Sequence, residues 1–388
     1  MNSVLGQLSD EHQILAETVR EFANQVIAPV AAHHDREQTF PYEVIKQMGA
    51  MGLFGLPFPE EVGGMGGDFL SLCLAIEELA RIDQSVAVTL EASVGLGSML
   101  IFRNGTDEQK EKYLPALISG QALGAFGLTE PDGGSDASGL RTTARLENDE
   151  WIINGSKTFI TNSGTSITSL VIVACITGLK ADGSKEISTI IVPSGTPGFT
   201  VGPSYFKVGW HASDTHPLAF SDVRVPASNL LGERGRGYAN FLQALDEGRI
   251  AIAALAVGAA QGCLDESLRY AKARKAFGKL IGEHQSIAFK IAEMQARTHT
   301  ARLAYYHAAF LMGAGKDFKS EASIAKLVAS EAAMDNARAA TQIFGGYGFI
   351  DEYSVARHYR DSKILEIGEG TSEVQKMLIA RNLGLSAE

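Results

Sequence analysis

The sequence predicts a multidomain α+β fold: an N-terminal all-α domain over residues 1–120, a central antiparallel β sandwich or barrel over 121–235, and a C-terminal four-helix bundle over 236–388. Apolar residues recur every three or four positions from Ser9 to Ile118, give way near Gln121 to short runs of strand composition, and resume the helical period after Gly237. The strand-like runs are not each followed by a helix, which excludes a doubly wound parallel sheet. Neither an internal repeat nor a low-complexity linker interrupts this order.

In the first domain, Leu15, Val19, Phe22 and Val26 place one apolar face on a helix that begins at Ser9, and Pro29 is expected to end it. Further helices are expected over 42–50, 68–81, 85–103 and 107–118. The turn Gly63-Gly64-Met65-Gly66-Gly67 lacks the Lys-Ser or Lys-Thr that completes a phosphate loop, so it reads as an ordinary loop. Strands are expected over 122–128, 140–146, 151–154, 170–176, 187–192 and 218–225, punctuated by Asn154-Gly155, Asp182-Gly183 and several prolines. Four helices over 238–274, 284–312, 320–344 and 372–383 complete the chain.

Composition narrows the function. With 34 basic against 45 acidic residues, the net charge of −11 argues against a general nucleic-acid or membrane-surface binder. The most apolar stretch, 250–260, is too short to span a bilayer and rich in Ala and Gly, which fits a tightly packed helix. Cys73, Cys175 and Cys263 are too scattered for a disulfide framework or a zinc site, and residues 1–10 carry no signal-peptide pattern, so a reducing, cytoplasmic setting is expected. The dinucleotide fingerprint, the H-E-x-x-H motif and the G-x-S-x-G elbow are all missing, and His33-His34 reads as a solvated helix end.

Three polar, glycine-bearing stretches remain. Glu369 stands between Gly368 and Gly370 on the approach to a helix, where Ser372 and Gln375 have capping-box spacing and Val374, Met377 and Leu378 begin an apolar face. The glycines would let another molecule approach the backbone, although the helix dipole alone also favours an acid there. Phe126-Gly127-Leu128-Thr129-Glu130-Pro131-Asp132-Gly133-Gly134-Ser135 ends a strand with free polar groups, and Phe159-Ile160-Thr161 could flank a flat heterocycle. Each, taken alone, is also compatible with an ordinary turn.

Together with Arg274-Lys275-Ala276-Phe277-Gly278 and Gln342-Ile343-Phe344-Gly345-Gly346, these stretches closely resemble the acyl-CoA dehydrogenase flavoenzymes over nearly the full length, in particular the short-chain and branched-chain members. The resemblance implies FAD bound without a Rossmann fold, between the β domain and the C-terminal helices. Phe126, Leu128, Thr129 and Ser135 would lie along the flavin, with Phe159, Ile160 and Thr161 against its ring; Phe159 replaces a tryptophan common in the family. Arg274, Phe277, Gln285, Gln342, Gly345 and Gly346 would hold the diphosphate and adenine across a subunit interface of a homotetramer, and Thr371 and Glu373 would reach the flavin from the last helix. Glu369 corresponds to the general base that takes the α-proton of the acyl-CoA while the β-hydrogen leaves as hydride to flavin N5. In some members the base comes from the position that here is Gly248, which cannot serve. Ser135, Asp246, Arg249 and Gly370 match positions near the thioester and pantetheine, although Arg249 could equally form a structural ion pair.

An electron-transfer flavoprotein is the implied electron acceptor. An oxidase of the same fold and a catalytically silent flavin-binding tetramer are the competing readings; intact base and flavin motifs disfavour the second. Ala87 stands where glutaryl-CoA dehydrogenases carry a substrate-binding arginine, and nearby Glu91 is expected on a solvated helix face. Gly368 replaces a tyrosine found beside the base in many straight-chain members, which implies room for branched or cyclic acyl groups.

Overall fold

The computed structural model describes residues 8–386, so most of the N-terminal stretch read as lacking a signal peptide lies outside the described residues. Ser9 caps α1 (Asp10–Phe22) by accepting from the His12 N–H. Pro29 does not end the helix. The chain passes through a π-helical turn (Ala23–Ile27) directly into α2 (Ala28–Glu37), and Pro29 falls in the first turn of α2, where a missing N–H is tolerated.

α3 (Tyr42–Ala50) and α4 (Phe69–Ala80) follow, the latter capped by the Asp68 carboxylate. The single helix expected over 85–103 is three segments: α5 (Gln84–Glu91), a second π-helical turn (Ala92–Ser98) and α6 (Met99–Asn104). A Thr106–Gln109 capping box opens α7 (Asp107–Ile118).

The β domain comprises β1 (Leu123–Gly127), β2 (Thr143–Glu147), β3 (Glu150–Thr161), β4 (Thr168–Leu179), β5 (Lys185–Pro193), β6 (Phe199–Val201), β7 (Thr215–Pro226) and β8 (Leu230–Leu231). They form a sheet ordered β6-β7-β3-β2-β4-β5-β8, with β1 beside β4. It is not purely antiparallel, as expected from sequence, because β1 runs parallel to β4 and β2 meets β4 in parallel at Thr143 and Ile176. That one contact joins two halves whose inner faces share a core including Trp151, Ile153 and Val223 from one half and Val171, Val173 and Ile190 from the other.

α8 (Gly237–Ala271) leads through a small hairpin, β9 (Lys275–Ala276) and β10 (Lys279–Leu280), into α9 (Gln285–Gly313) and α10 (Lys319–Phe344). A short α11 (Ser354–Ser362), unforeseen in the sequence, precedes α12 (Ser372–Asn382). α8 crosses α4 closely because Gly258 and Gly262 lie on one face: a Cβ at either would stand 2.2 Å from the Glu77 or Arg81 carbonyl oxygen, respectively. The helical run from Gln84 to Asn104 and α8 are long and apolar enough to cross a bilayer, but 89% and 83% of their most apolar windows are buried inside the protein. They serve as core.

Beneath the β1–β3 edge lies a buried ion pair. The Lys157 ammonium donates to Glu130 Oε1 at 2.7 Å and to the Leu128 carbonyl at 3.1 Å, while Glu130 also accepts from the Arg141 and Thr142 N–H groups. This network ties the 128–142 loop to β3. Lys157→Met should destabilise the fold by about 3–5 kcal/mol by stranding the Glu130 charge; chemical denaturation followed by circular dichroism measures it.

Candidate active site

Glu369 occupies a tight loop between a 3-10 turn (Lys363–Glu366) and α12, and takes a left-handed conformation with φ of 51°. A glutamate held at positive φ is strained, so the surroundings must fix it. Of the flanking glycines only Gly370, at φ 93°, uses its conformational freedom. Lys326, from α10, donates to the Gly370 carbonyl at 2.7 Å, and Gln375 Nε2 donates to the Glu369 and Gly370 carbonyls at 3.3 and 3.0 Å. Gln375 is therefore a loop clamp, not half of a capping box. The N-cap is Thr371, whose hydroxyl accepts from the Val374 N–H at 3.3 Å. Among the described residues, no acceptor is bonded to the Glu369 N–H.

Glu369 is half-buried as a residue, but its Oε2 is shut off from solvent without a hydrogen-bond partner and points at α8, where a Cβ on Gly248 would come within 2.2 Å of it. The alternative base position of the family and Glu369 thus address the same spot. Burial pushes the Glu369 carboxyl up to about 7, against the lowering effects of a hydrogen bond with Glu91 and the charges of Lys326 and Arg249. Glu91 corrects the sequence reading: it is 1% exposed, not solvated, and burial and the Glu369 charge raise its carboxyl well above the usual range. The helix expected over 85–103 has no open face at this point, because α4 and α8 cover α5. Arg249 is buried and ion-paired to Asp246, which also faces Lys319 at 3.3 Å. Lys326, with its Nζ buried beside this group, is pushed down to about 8 by desolvation.

A second group of candidates lies along β1 and β3. Phe126 packs against Phe241 with ring centroids 4.3 Å apart, Leu128 is buried, and the Thr129 carbonyl accepts from the Thr158 N–H at 2.9 Å. Phe159, 64% exposed at φ 60°, sits beside Tyr205, and the buried Ile160 and half-buried Thr161 follow it on β3. Asn162 donates to the Thr89 carbonyl at 3.0 Å and so ties the end of this strand to α5. Ser135 is exposed. Glu91, Lys326 and Asn162 escaped the sequence reading because only tertiary packing brings them together.

The third group does not join the first two within one chain. Arg274, Gly345 and Gly346 line a surface groove of about 440 Å³ between the end of α8 and the end of α10, with the Arg274 guanidinium 5.6 Å from the Tyr347 ring centre. Phe277 is 96% exposed, and Gln285 and Gln342 are also exposed. Thr371 caps α12 and Glu373 faces solvent.

Sequence profiles for the N-terminal, middle and C-terminal domains of acyl-CoA dehydrogenases match residues 9–121, 125–223 and 235–384. The chain belongs to the acyl-CoA dehydrogenase family and is an oxidoreductase acting on CH–CH bonds, a flavoprotein of fatty acyl metabolism. It is 48% identical over 377 residues to "Probable acyl-CoA dehydrogenase YngJ" of Bacillus subtilis, covering 97% of this chain and 99% of that protein. It is 44% identical to a short-chain specific acyl-CoA dehydrogenase of Clostridium acetobutylicum, covering 96% and 98%. The butyryl-CoA dehydrogenase structure from Megasphaera elsdenii superposes with a TM-score of 0.94 at 45% identity, covering 97% and 99%. A chain solved in work on the electron transferring flavoprotein of Acidaminococcus fermentans superposes equally, with a TM-score of 0.94 at 41% identity, covering 97% and 99%.

Because Glu369 Oε2 is the flexible end of a side chain, Gly248→Ala should leave the fold intact while displacing the carboxylate. A shift of about 1 Å can cost about 10²-fold in turnover. Comparison of kcat with the far-ultraviolet circular dichroism spectrum of this variant checks the expectation.

Proposed function

We propose that the chain dehydrogenates an acyl-CoA thioester to the 2-enoyl-CoA with Glu369 as the general base. The observation that carries this reading is the Glu369 carboxyl itself, whose Oε2 is buried without a hydrogen-bond partner and aimed at α8, on a residue whose backbone N–H has no acceptor among the described residues. A base raised towards neutrality is matched to an α-proton of low acidity. The same N–H can donate to the thioester oxygen as negative charge develops there. The loop carbonyls are already engaged by Lys326 and Gln375, so the base starts in place and need not be ordered during the reaction.

The residues present fit FAD. The exposed Phe159 offers a face for stacking, Thr161 a hydroxyl, and the Arg274 groove a cation with two glycines that leave open space above the backbone. Bound FAD would accept the β-hydrogen with its electron pair as the α-carbon loses its proton to Glu369 and the C=C bond forms. Since the Arg274 groove lies apart from the Glu369 site, and Phe277 and Phe349 stand 96% and 93% exposed beside it, we place the adenosine end on a neighbouring subunit of a homotetramer. The similarity to the chain solved in the electron transferring flavoprotein work supports such a flavoprotein as the electron acceptor. The Gly368 wall is open, since an added Cβ would meet only Ile364, at 3.4 Å or more, and this supports tolerance of branched acyl groups beside short linear ones.

The purified protein should be yellow, and anaerobic addition of linear and branched acyl-CoA thioesters should bleach it; no bleaching by any of the panel overturns the reading. Glu369→Gln should retain FAD but lose about 10² to 10⁴-fold in the rate of flavin reduction. Because the acid is ionised only above its raised midpoint, kcat/KM of the unmodified protein should fall as pH drops below about 7. Arg274→Ala should release FAD more readily, measured by fluorescence of the free cofactor after gel filtration.

A further inference from the structure

Phe159 reaches the surface through an irregularity in the sheet. Lys157 pairs with Leu218 and Ile160 with His216, so Thr158 and Phe159 together face the single Pro217, and β3 bulges there. Pro217 has no N–H to give, and the Thr158 N–H goes to the Thr129 carbonyl outside the ladder. Phe159 is left at φ 60° with its ring in solvent, and something beyond the ladder must hold it.

His216 is placed to do so. Its Nδ1 stands 2.7 Å from the Gly202 carbonyl oxygen and its Nε2 2.8 Å from Asp214 Oδ1. Both partners accept hydrogen bonds. A neutral imidazole has one N–H and would leave a lone pair against the other acceptor, whereas an imidazolium donates to both. Asp214 Oδ2 accepts from the Gly164 N–H at 2.8 Å, and the Asp214 carbonyl accepts from the Asn162 N–H at 3.1 Å. Gly164 lies directly on the ring, since a Cβ there would stand 2.4 Å from Nε2. The ring thus binds the turn after β6 to the start of β7 and, through Asp214, to the backbone just past Thr161.

The surrounding charges can be named. The Asp214 hydrogen bond raises His216 above the ordinary imidazole value, against burial and the Lys207 charge. Lys207 donates to the Ser213 carbonyl and to Thr215 Oγ1, and burial pushes it down to about 8. On the same loop, His211 stands 3.0 Å from Asp35 Oδ1 and 2.9 Å from the Lys207 carbonyl, and the Tyr205 hydroxyl shares a hydrogen bond of 2.6 Å with Thr158. Residues 160–164 and β6 bring no titratable side chain, and Gln38 and Phe40, across an adjoining cavity of about 220 Å³, are uncharged.

We propose that His216 is a positioning residue that, held as an imidazolium, pins the end of β3 so that Phe159 presents its ring to the flavin. This rests on FAD lying against Phe159. Below the ordinary imidazole midpoint of about 6.5 the clamp is complete. As pH rises through the raised midpoint of His216 the ring loses one N–H, the bond to Gly202 or to Asp214 goes with it, and the constraint on the bulge is lost. The flavin surroundings therefore change on the alkaline side, opposite to the acid limb set by Glu369.

The test uses the FAD-loaded enzyme without substrate. Deuterium exchange at the imidazole C2–H, followed by mass spectrometry of the peptide and its fragments, gives the His216 midpoint apart from that of His211. It should lie above about 6.5, and a midpoint at or below that value overturns the proposal. The visible bands of the bound flavin should shift across the same midpoint. His216→Phe, which removes both donors, should show the alkaline spectrum at every pH with its far-ultraviolet circular dichroism unchanged. His216→Arg, which keeps a cation with several donors, should show the acid spectrum throughout. A shift that persists in His216→Arg belongs to Lys207 and overturns the proposal, as does a His216→Phe spectrum that still titrates. Should His216→Phe fail to fold, the exchange midpoint and His216→Arg still decide. Phe159→Leu should move the bands at any pH; if it does not, the flavin does not meet Phe159 and the proposal falls with that reading, whatever proton His216 carries.

Discussion

The site depends on how close α8 can come to its neighbours. Gly258 and Gly262 let it lie against the carbonyls of α4, and Gly248, ten residues before Gly258, leaves the space filled by the Glu369 carboxyl. A methyl group at any of these positions meets an atom at 2.2 Å, so the helix acts as a wall whose distance from the active-site loop is set by missing side chains. α8 also touches α5, α9, α10, β4 and β5, so the same rod that lies against the Glu369 carboxyl aligns the helical domains with the sheet.

Burial gives the carboxyl its chemistry and also makes it expensive to hold. The chain meets that cost through the backbone rather than with a direct counter-ion: Lys326 and Gln375 take the carbonyls of the Glu369–Gly370 loop, and the charges of Lys326 and Arg249 act on the carboxyl from a distance. A direct ion pair would have held Glu369 ionised more firmly, at the loss of its basicity. Phe159 carries a comparable strain, a non-glycine residue at positive φ presenting its ring to solvent at the end of a buried strand.

The helix, sheet, helix order was legible in the sequence because it is written in local period, and so was Glu369, because its glycines and the following helix start are contiguous. What escaped has identifiable causes. Pro29 is a strong stop signal by itself, but a π-helical turn shifts the bonding pattern just before it, and no local rule announces that turn. The parallel pairing of β1 with β4 depends on partners more than forty residues apart, as with Leu123 and Thr168. Glu91 was expected on a solvated helix face; the packing of α4 and α8 against α5, which no local pattern announces, buries it instead. The Arg274 groove lies at the ends of α8 and α10 and Glu369 does not line it, a separation that no local pattern in the sequence reveals.

The second π-helical turn begins one residue after Glu91. An α-helix advances about 100° per residue, and a π turn accommodates one extra residue without lengthening the path by a full step. α5 and α6 are consequently out of phase along one continuous rod, with Glu91 buried on the first and Leu100 and Ile101 buried on the second. The turn works as a phase shifter: its seven residues are all buried themselves, and the change in residues per turn re-aims the helix that follows without breaking the rod.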